Sequence, residues 1–438
     1  MKSKKPSRRK FLSAGAVVAG AAAGALKTGN AEAQEGAAAA PAARAAAPKK
    51  DIKELIAYGE RSRFVTSLRE PAEGRPSPDA FGLTFHVVTP LGESVGSITP
   101  SSLHYIAAHR GFYVPDIDPK EHRLMIHGMV DRPLILTMDE IKRFPSVTRV
   151  HFVECIGNRS TARRQTVAQT HGMTSCSEWT GVLLSTLLKE CGVQKGASWF
   201  VSEGAEEVKG ASSVPLDKGM EDCLVAWGQN GEPVRPQQGF PLRLIVPGFE
   251  GIFNVKWLRR LKVVDQPYLT FQEHSRFLGS NPKTQPDSYD FGPTSVITYP
   301  SGTHRLPRQG GYVISGLAWS GAGAVRRVEV STDGGKTYKD AELSGAVLPK
   351  AHTRFVLPWK WDGQEAVLQS RCTDVRDQVQ PTEAEFAKYW GFTRPQLYAA
   401  IQSQLGHCNW IQPWRVSRDG QVTNGLPPIG FVADVHAG

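Results

Sequence analysis

The chain has 438 residues and a formal net charge of +10, from 52 Lys or Arg against 42 Asp or Glu. Its length suits two domains. Residues 1–33 hold seven Lys or Arg and one acid, so six of the ten net charges lie there and four remain for the rest. That modest surplus leaves no case for nucleic acid, while it suits an anionic substrate or an acidic partner.

Ser7-Arg8-Arg9-Lys10-Phe11-Leu12 is a twin-arginine pattern, and an apolar run follows from Phe11 to Leu26. That run of sixteen residues falls short of the ~20 that cross a bilayer. Ala31-Glu32-Ala33 then offers a small-residue cleavage site. The expectation is a removable export signal over 1–33, with no membrane anchor and a periplasmic destination reached in the folded state. Residues 34–50 read as an Ala/Pro linker. From 51 to 268 helices and strands are mixed. Thr137-Met138-Asp139-Glu140 predicts a capping box, and Pro145 stops the short helix it opens. Thr148 to Glu154 reads as a strand that ends on Cys155, with Gly157, Asn158 and Arg159 directly behind. Leu184, Leu187, Leu188 and Cys191 share one helical face that Gly192 closes. "PLRLIVPG" (241–248) reads as an alternating strand. After about residue 290 the signal changes to short strands, with an Asp-Gly-Gly turn inside "GAVRRVEVSTDGGKTYKDAEL". This spacing predicts a β-sandwich. Beyond Pro381 lies a tail containing a helix, then the segment "GHCNWIQPWRV".

Cys155 is the residue that asks for an explanation. A thiolate is a soft metal donor that needs nearby positive charge. A buried cysteine at a strand end is the equal alternative. Six cysteines (155, 176, 191, 223, 372 and 408) could in part pair in an oxidising compartment. Cys176, Cys191, Cys223 and Cys372 read as packing residues, as do Trp179, Trp227 and Trp257. His407-Cys408 reads as structural. No C-x-x-C-H is present, so no covalent haem is expected on this chain. The dinucleotide and nucleotide glycine motifs are absent too.

"ECIGNRS" resembles the C-x-G-N-R-R stretch of the sulfite oxidase family. "GFPLRLIVPGFEGIFNVKWLRRLKV", "GLAWSGAGAVRRVEVSTDGGKTY" and "CTDVRDQVQP" resemble further segments of that family in the same order. The resemblance implies an α+β fold: a sulfite-oxidase-type molybdopterin domain at 51–268, an immunoglobulin-like β-sandwich dimerisation domain at 269–385, and an extension at 386–438. It implies a molybdopterin cofactor with molybdenum, the metal bound by Cys155. Tyr105, His109, Glu206, Gln238, Arg243, Asn254, Val255 and Lys256 fall where the family contacts the cofactor, Arg243 and Lys256 as cations for its phosphate. By its own pattern Arg243, between Leu242 and Leu244, could equally lie on a solvated strand face.

The departures bear on substrate. The arginine of the family's R-N-H segment falls at Ala107, the second arginine of N-R-R is Ser160, and the active-site tyrosine falls at Lys209. Fewer fixed guanidinium groups suit a small dianion poorly. The expected substrate is therefore sulfane sulfur on the cysteine of a carrier protein, with Arg159 and Lys209 as the remaining anion-stabilising groups. Arg415 or Arg418 from the tail could instead restore a sulfite pocket. Electrons would pass to a separate c-type cytochrome. The rival readings are a dehydrogenase of free sulfite and a non-catalytic periplasmic sandwich protein.

Overall fold

A computed structural model describes residues 64–71, 86–107, 114–159, 165–206, 211–268, 270, 290–402 and 408–426. The packing below lies within Thr66–Gly438, one compact unit. His109, Lys209, Ser160 and His407 lie outside the described residues, as do 1–50.

Two five-stranded sheets build the first half. One runs Leu134–Thr137, Arg123–Gly128, Leu258–Val264, Trp199–Gly204, Ala211–Pro215, with the Arg123–Gly128 and Leu258–Val264 strands parallel. The other runs Glu232–Pro233, Leu224–Gln229, Thr174–Leu183, Ser146–Glu154, and Arg243–Ile245 also pairs with Leu224–Gln229. Their shared core holds Leu124, Ile126, Phe200 and Leu261 from the first sheet and Val182, Val225 and Leu244 from the second. The predicted helix Leu184–Cys191 seats its apolar face there and ends on Gly192 at φ 69°, a left-handed value natural to glycine. Thr137 forms the predicted capping box with Glu140. A small sheet of Glu70–Pro71, His86–Val88 and Ile106–Ala107 lies beside these.

The second half is a sandwich. Thr294–Tyr299, Gly310–Trp319, Thr353–Trp361 and Glu342–Ser344 form one sheet; Lys339–Asp340, Val325–Ser331, Ala366–Asp374, Trp414–Val416 and Val422–Asn424 form the other. Ile314, Leu317 and Phe355 meet Val328, Val330, Leu368 and Trp414 between them. The tail contains the expected helix and more. It holds two helices, Glu383–Tyr389 and Arg394–Gln402, and then a hairpin that pairs onto Ala366–Asp374. Residues 414–416 and 422–424 thus extend a sandwich sheet. All six cysteines are buried, and no disulfide joins any two of them.

Candidate active site

The Ser146–Glu154 strand pairs residue for residue with Thr174–Leu183, and the Cys155 N–H continues that ladder to the Met173 carbonyl at 2.9 Å. The chain then turns through Ile156 to Arg159. Asn158 fixes the turn from inside. Its amide donates to Glu154 Oε1 at 2.8 Å and to the His171 carbonyl at 3.2 Å, and its oxygen accepts from Met173 N–H at 3.1 Å. The thiol of Cys155 is therefore held at a strand end by a fully bonded buried amide.

Arg243 is buried, at 3% exposure, so it does not lie on a solvated strand face. Both faces of its short strand are covered. The guanidinium donates to the Gln238 carbonyl at 3.0 Å and to the Asn254 carbonyl at 3.2 Å, and lies 4.8 Å from the centroid of Trp179. Among the described residues its Nε has no acceptor. Lys256, half-buried, directs Nζ toward the carbonyls of Ala107 and Gln237, each at 3.4 Å, with the Trp257 ring 4.6 Å away. Burial lowers Arg243 to about 10. Burial and then the Arg243 charge pull Lys256 down to about 7, against the opposing pull of Glu206 and Cys155. Two desolvated cations this close are costly unless an anion joins them. Trp179 and Trp257 are core residues as read, and they also carry these cations.

Gln238 donates to the Tyr105 carbonyl at 2.9 Å. Burial, and next the Cys155 thiol, push the Tyr105 phenol well above its usual range. The Asn254 side chain accepts from Val246 N–H at 2.8 Å and donates to the Glu250 carbonyl at 3.0 Å. It shapes the loop, and the Val255 carbonyl beside it accepts from Leu244 N–H at 2.8 Å. Glu206 folds back on Gly204, where an added Cβ would strike its carboxylate and lie 2.7 Å from the Lys256 carbonyl. Only glycine permits that approach.

Three residues were not legible as site residues. Arg69 donates to the His104 carbonyl at 3.4 Å and to Gln237 Oε1 at 3.3 Å, adding a third cation; nothing in its sequence context signals this. His104, one residue before Tyr105, gives Nδ1 to the Tyr105 carbonyl at 3.0 Å, so the ring holds its proton there. Burial, with Arg243, Lys256 and Arg69 nearby, lowers it to about 3 and keeps it neutral. Among the described residues its Nε2 has no partner. Asn158 stood in the quoted motif without a role.

Arg159 is placed differently from the expectation of an anion ligand. It is 2% exposed, at φ 69°. Nη1 donates to the carbonyls of Trp410 and, at 3.3 Å, Cys408, and the guanidinium stacks 4.4 Å from the Trp410 centroid. Of the tail arginines, Arg415 faces solvent on its strand and Arg418 is exposed.

Among the described residues no group of three or more His, Cys, Asp or Glu could hold a metal ion. A site on Cys155 built from the described residues alone would therefore be short of donors, which fits a metal whose other donors arrive with an organic cofactor. The buried Arg243 guanidinium, with Lys256 beside it and the Gly204 backbone close by, fits the phosphate end of that cofactor. Fold and site together define a molybdopterin-binding oxidoreductase.

Comparison with known proteins agrees. Residues 111–272 match the oxidoreductase molybdopterin binding domain, and 285–393 match the Mo-co oxidoreductase dimerisation domain. The solved sulfane dehydrogenase SoxCD of Paracoccus pantotrophus matches with a TM-score of 0.78 and 35% identity, over 86% of this chain and 95% of that one. A nitrate reductase [NADH] of Brassica napus is 35% identical over 304 residues, 61% of this chain and 33% of its own. Nitrate reductase [NADH] 1 of Arabidopsis thaliana is 34% identical, over 61% of this chain and 33% of its own. The chain spans about a third of the length of these curated relatives. The chain belongs to the sulfite oxidase family of molybdoenzymes.

Proposed function

We propose that this protein oxidises sulfane sulfur held on the cysteine of a carrier protein and passes the electrons to a c-type cytochrome. The observation that carries the reading is coverage. The likeness to the sulfane dehydrogenase runs through both domains and takes in 95% of that chain. The placement of Arg159 adds support, because its guanidinium already serves two backbone carbonyls beside the Cys155 turn. A small dianion would want that group for itself.

In this reading Cys155 holds the metal. Arg243 and Lys256 hold the cofactor phosphate, with Arg69 behind them. Tyr105, His109, Gln238, Asn254, Val255 and Glu206 shape the pterin cradle, and Lys209 steadies negative charge on the substrate. Molybdenum in such a cofactor supplies two-electron oxygen-atom transfer. Each round takes one oxygen from water, adds it to the terminal sulfur, releases two protons to solvent and passes two electrons, one at a time, to the cytochrome. The protein's part is to orient the sulfur and keep the cation pair desolvated. The mature chain would start near Gln34 after export by the twin-arginine route, and the sandwich would pair two copies.

Steady-state assays with cytochrome c test this. Turnover of a persulfide-bearing carrier peptide, with free sulfite at least about a hundredfold less efficient in kcat/KM, is the expected result. Efficient turnover of micromolar free sulfite without any carrier would falsify it in favour of a sulfite dehydrogenase.

A further inference from the structure

Cys155 follows directly on Glu154, the last residue of its strand. Glu154 is buried, and each oxygen of its carboxyl meets a different donor. Oε1 accepts from the Asn158 amide inside the turn at 2.8 Å, and Oε2 accepts from Trp319 Nε1 at 2.7 Å. Trp319 is itself buried, at the end of the Gly310–Trp319 strand of the sandwich. A carboxyl group is planar and rigid, so fixing one oxygen limits where the other can lie. A second stretch of the sandwich grips the same strand end. Phe152 N–H donates to the Lys350 carbonyl at 3.0 Å. Thr174, the cross-strand partner of Glu154, has Oγ1 3.1 Å from His352 Nε2. The His352 ring in turn lies 4.9 Å from that of Trp319, centroid to centroid.

We infer that Trp319 is a positioning residue for the metal ligand: through the Glu154 carboxyl it sets how the turn presents the Cys155 thiol, so the sandwich takes part in building the metal site. This rests on Cys155 holding the metal. The chain of contacts is short and continuous. Trp319 bonds Glu154, Glu154 bonds Asn158, and Asn158 bonds the His171 carbonyl and the Met173 N–H on the facing side of the turn. Removing the indole N–H strands a buried oxygen, which must then shift to find another partner. A metal ligand has to be aimed as well as present, and a displacement of about 1 Å can cost about a hundredfold in rate. Hydrogen bonds around the ligands also tune a bound metal.

The test compares Trp319→Phe with Trp414→Phe in the full-length protein. Trp414 supplies the control: its indole N–H is equally buried in the same sandwich, but it serves the Ile297 carbonyl, at 3.1 Å. Hydrogen exchange of the Cys155 and Asn158 amides is read in cofactor-free protein. Both amides are bonded in the wild type, to the Met173 and Cys155 carbonyls at 2.9 Å each. The holoenzyme is read for molybdenum content, for the electron paramagnetic resonance spectrum of its one-electron-reduced form, and for kcat and KM on whichever sulfur substrate the wild type turns over. In Trp319→Phe the two amides should exchange about tenfold faster or more. The spectrum should shift, and kcat should fall about tenfold with KM within about twofold. Trp414→Phe should leave exchange at the turn, spectrum and kcat as in the wild type. Glu154→Gln keeps the size of the side chain but only one of its two acceptor oxygens, and should show the same changes to a smaller degree. It carries the test if Trp319→Phe does not fold. Wild-type exchange and spectrum in Trp319→Phe, or wild-type exchange in Glu154→Gln, would overturn the inference. So would equal changes in Trp414→Phe, which would mean general loosening of the sandwich. Wild-type protein that takes up no molybdenum would sink the reading of Cys155 as the metal ligand, and with it this role for Trp319, even if the exchange result showed the turn to be held.

Discussion

A lone thiol can hold molybdenum only if the remaining donors come with the cofactor, and the metal then depends on a single side chain. Cys155→Ser replaces a soft donor with a hard one of similar size. Metal analysis should show molybdenum falling from one per chain to under about a tenth, while the melting temperature of the cofactor-free protein moves by no more than about 3 °C. Retained metal would remove Cys155 from the site. Lys256 makes a second prediction. In the unfolded chain its ammonium keeps its proton up to about 10.4. In the cofactor-free fold, burial and Arg243 bring that down to about 7. Between those values the unfolded state binds more protons, so stability rises with pH from about 7 to about 10. Melts of cofactor-free protein at pH 7 and pH 9 should show this rise in the wild type and a smaller one in Lys256→Met. Bound phosphate would hold the proton on Lys256 and flatten the slope. Equal slopes in the two proteins would count against the buried-cation account.

At the scale of elements, the turn after the Ser146–Glu154 strand is rigid because one amide bonds three groups. Asn158→Ala would leave buried donors and acceptors unmet, at about 1–3 kcal/mol for each group stranded. A stability loss of about 2–4 kcal/mol by denaturant titration is expected, and a change under about 0.5 kcal/mol would mean that water replaces the amide. Sequence reading did well where an element announces itself locally. The helix Leu184–Cys191 has its apolar spacing, Thr137 has Glu140 three residues on, and the Asp-Gly-Gly turn sits between alternating runs. It did less well where both faces of an element are covered. Leu242-Arg243-Leu244 reads the same whether the arginine meets water or a buried anion, and only the fold distinguishes them. The hairpin Trp414–Val416 with Val422–Asn424 escaped because three-residue strands carry too little alternation to detect. Arg69 and the carbonyls that receive Arg159 come together from distant segments, and no local pattern encodes that.

Across the whole molecule, acid should be harmful before it reaches the carboxylates. Burial lowers His104 and His352 to about 3 and His151 to about 4. Each is neutral in the fold and charges near 6.5 when unfolded. The unfolded state therefore binds more protons below that point, and stability falls as pH drops from about 6.5 toward 4. His352 lies between Phe152 and Trp319, with Nε2 3.1 Å from Thr174 Oγ1. His352→Gln should flatten the acid limb of a melting-temperature profile, and an unaltered limb would assign the loss to other groups. Assembly is testable at the same scale: sedimentation at micromolar concentration should give a dimer, and a monomer would speak against pairing through the sandwich.

Trp319, on a sandwich strand, donates Nε1 to Glu154 Oε2 at 2.7 Å, across 165 residues of sequence. That carboxyl is buried beside Cys155, and burial raises it to about 7. In a genetic screen for lost activity, lesions at Trp319 would share the phenotype of lesions around the cysteine, not that of other sandwich mutants. A map drawn along the gene would divide into two loci what the molecule treats as one.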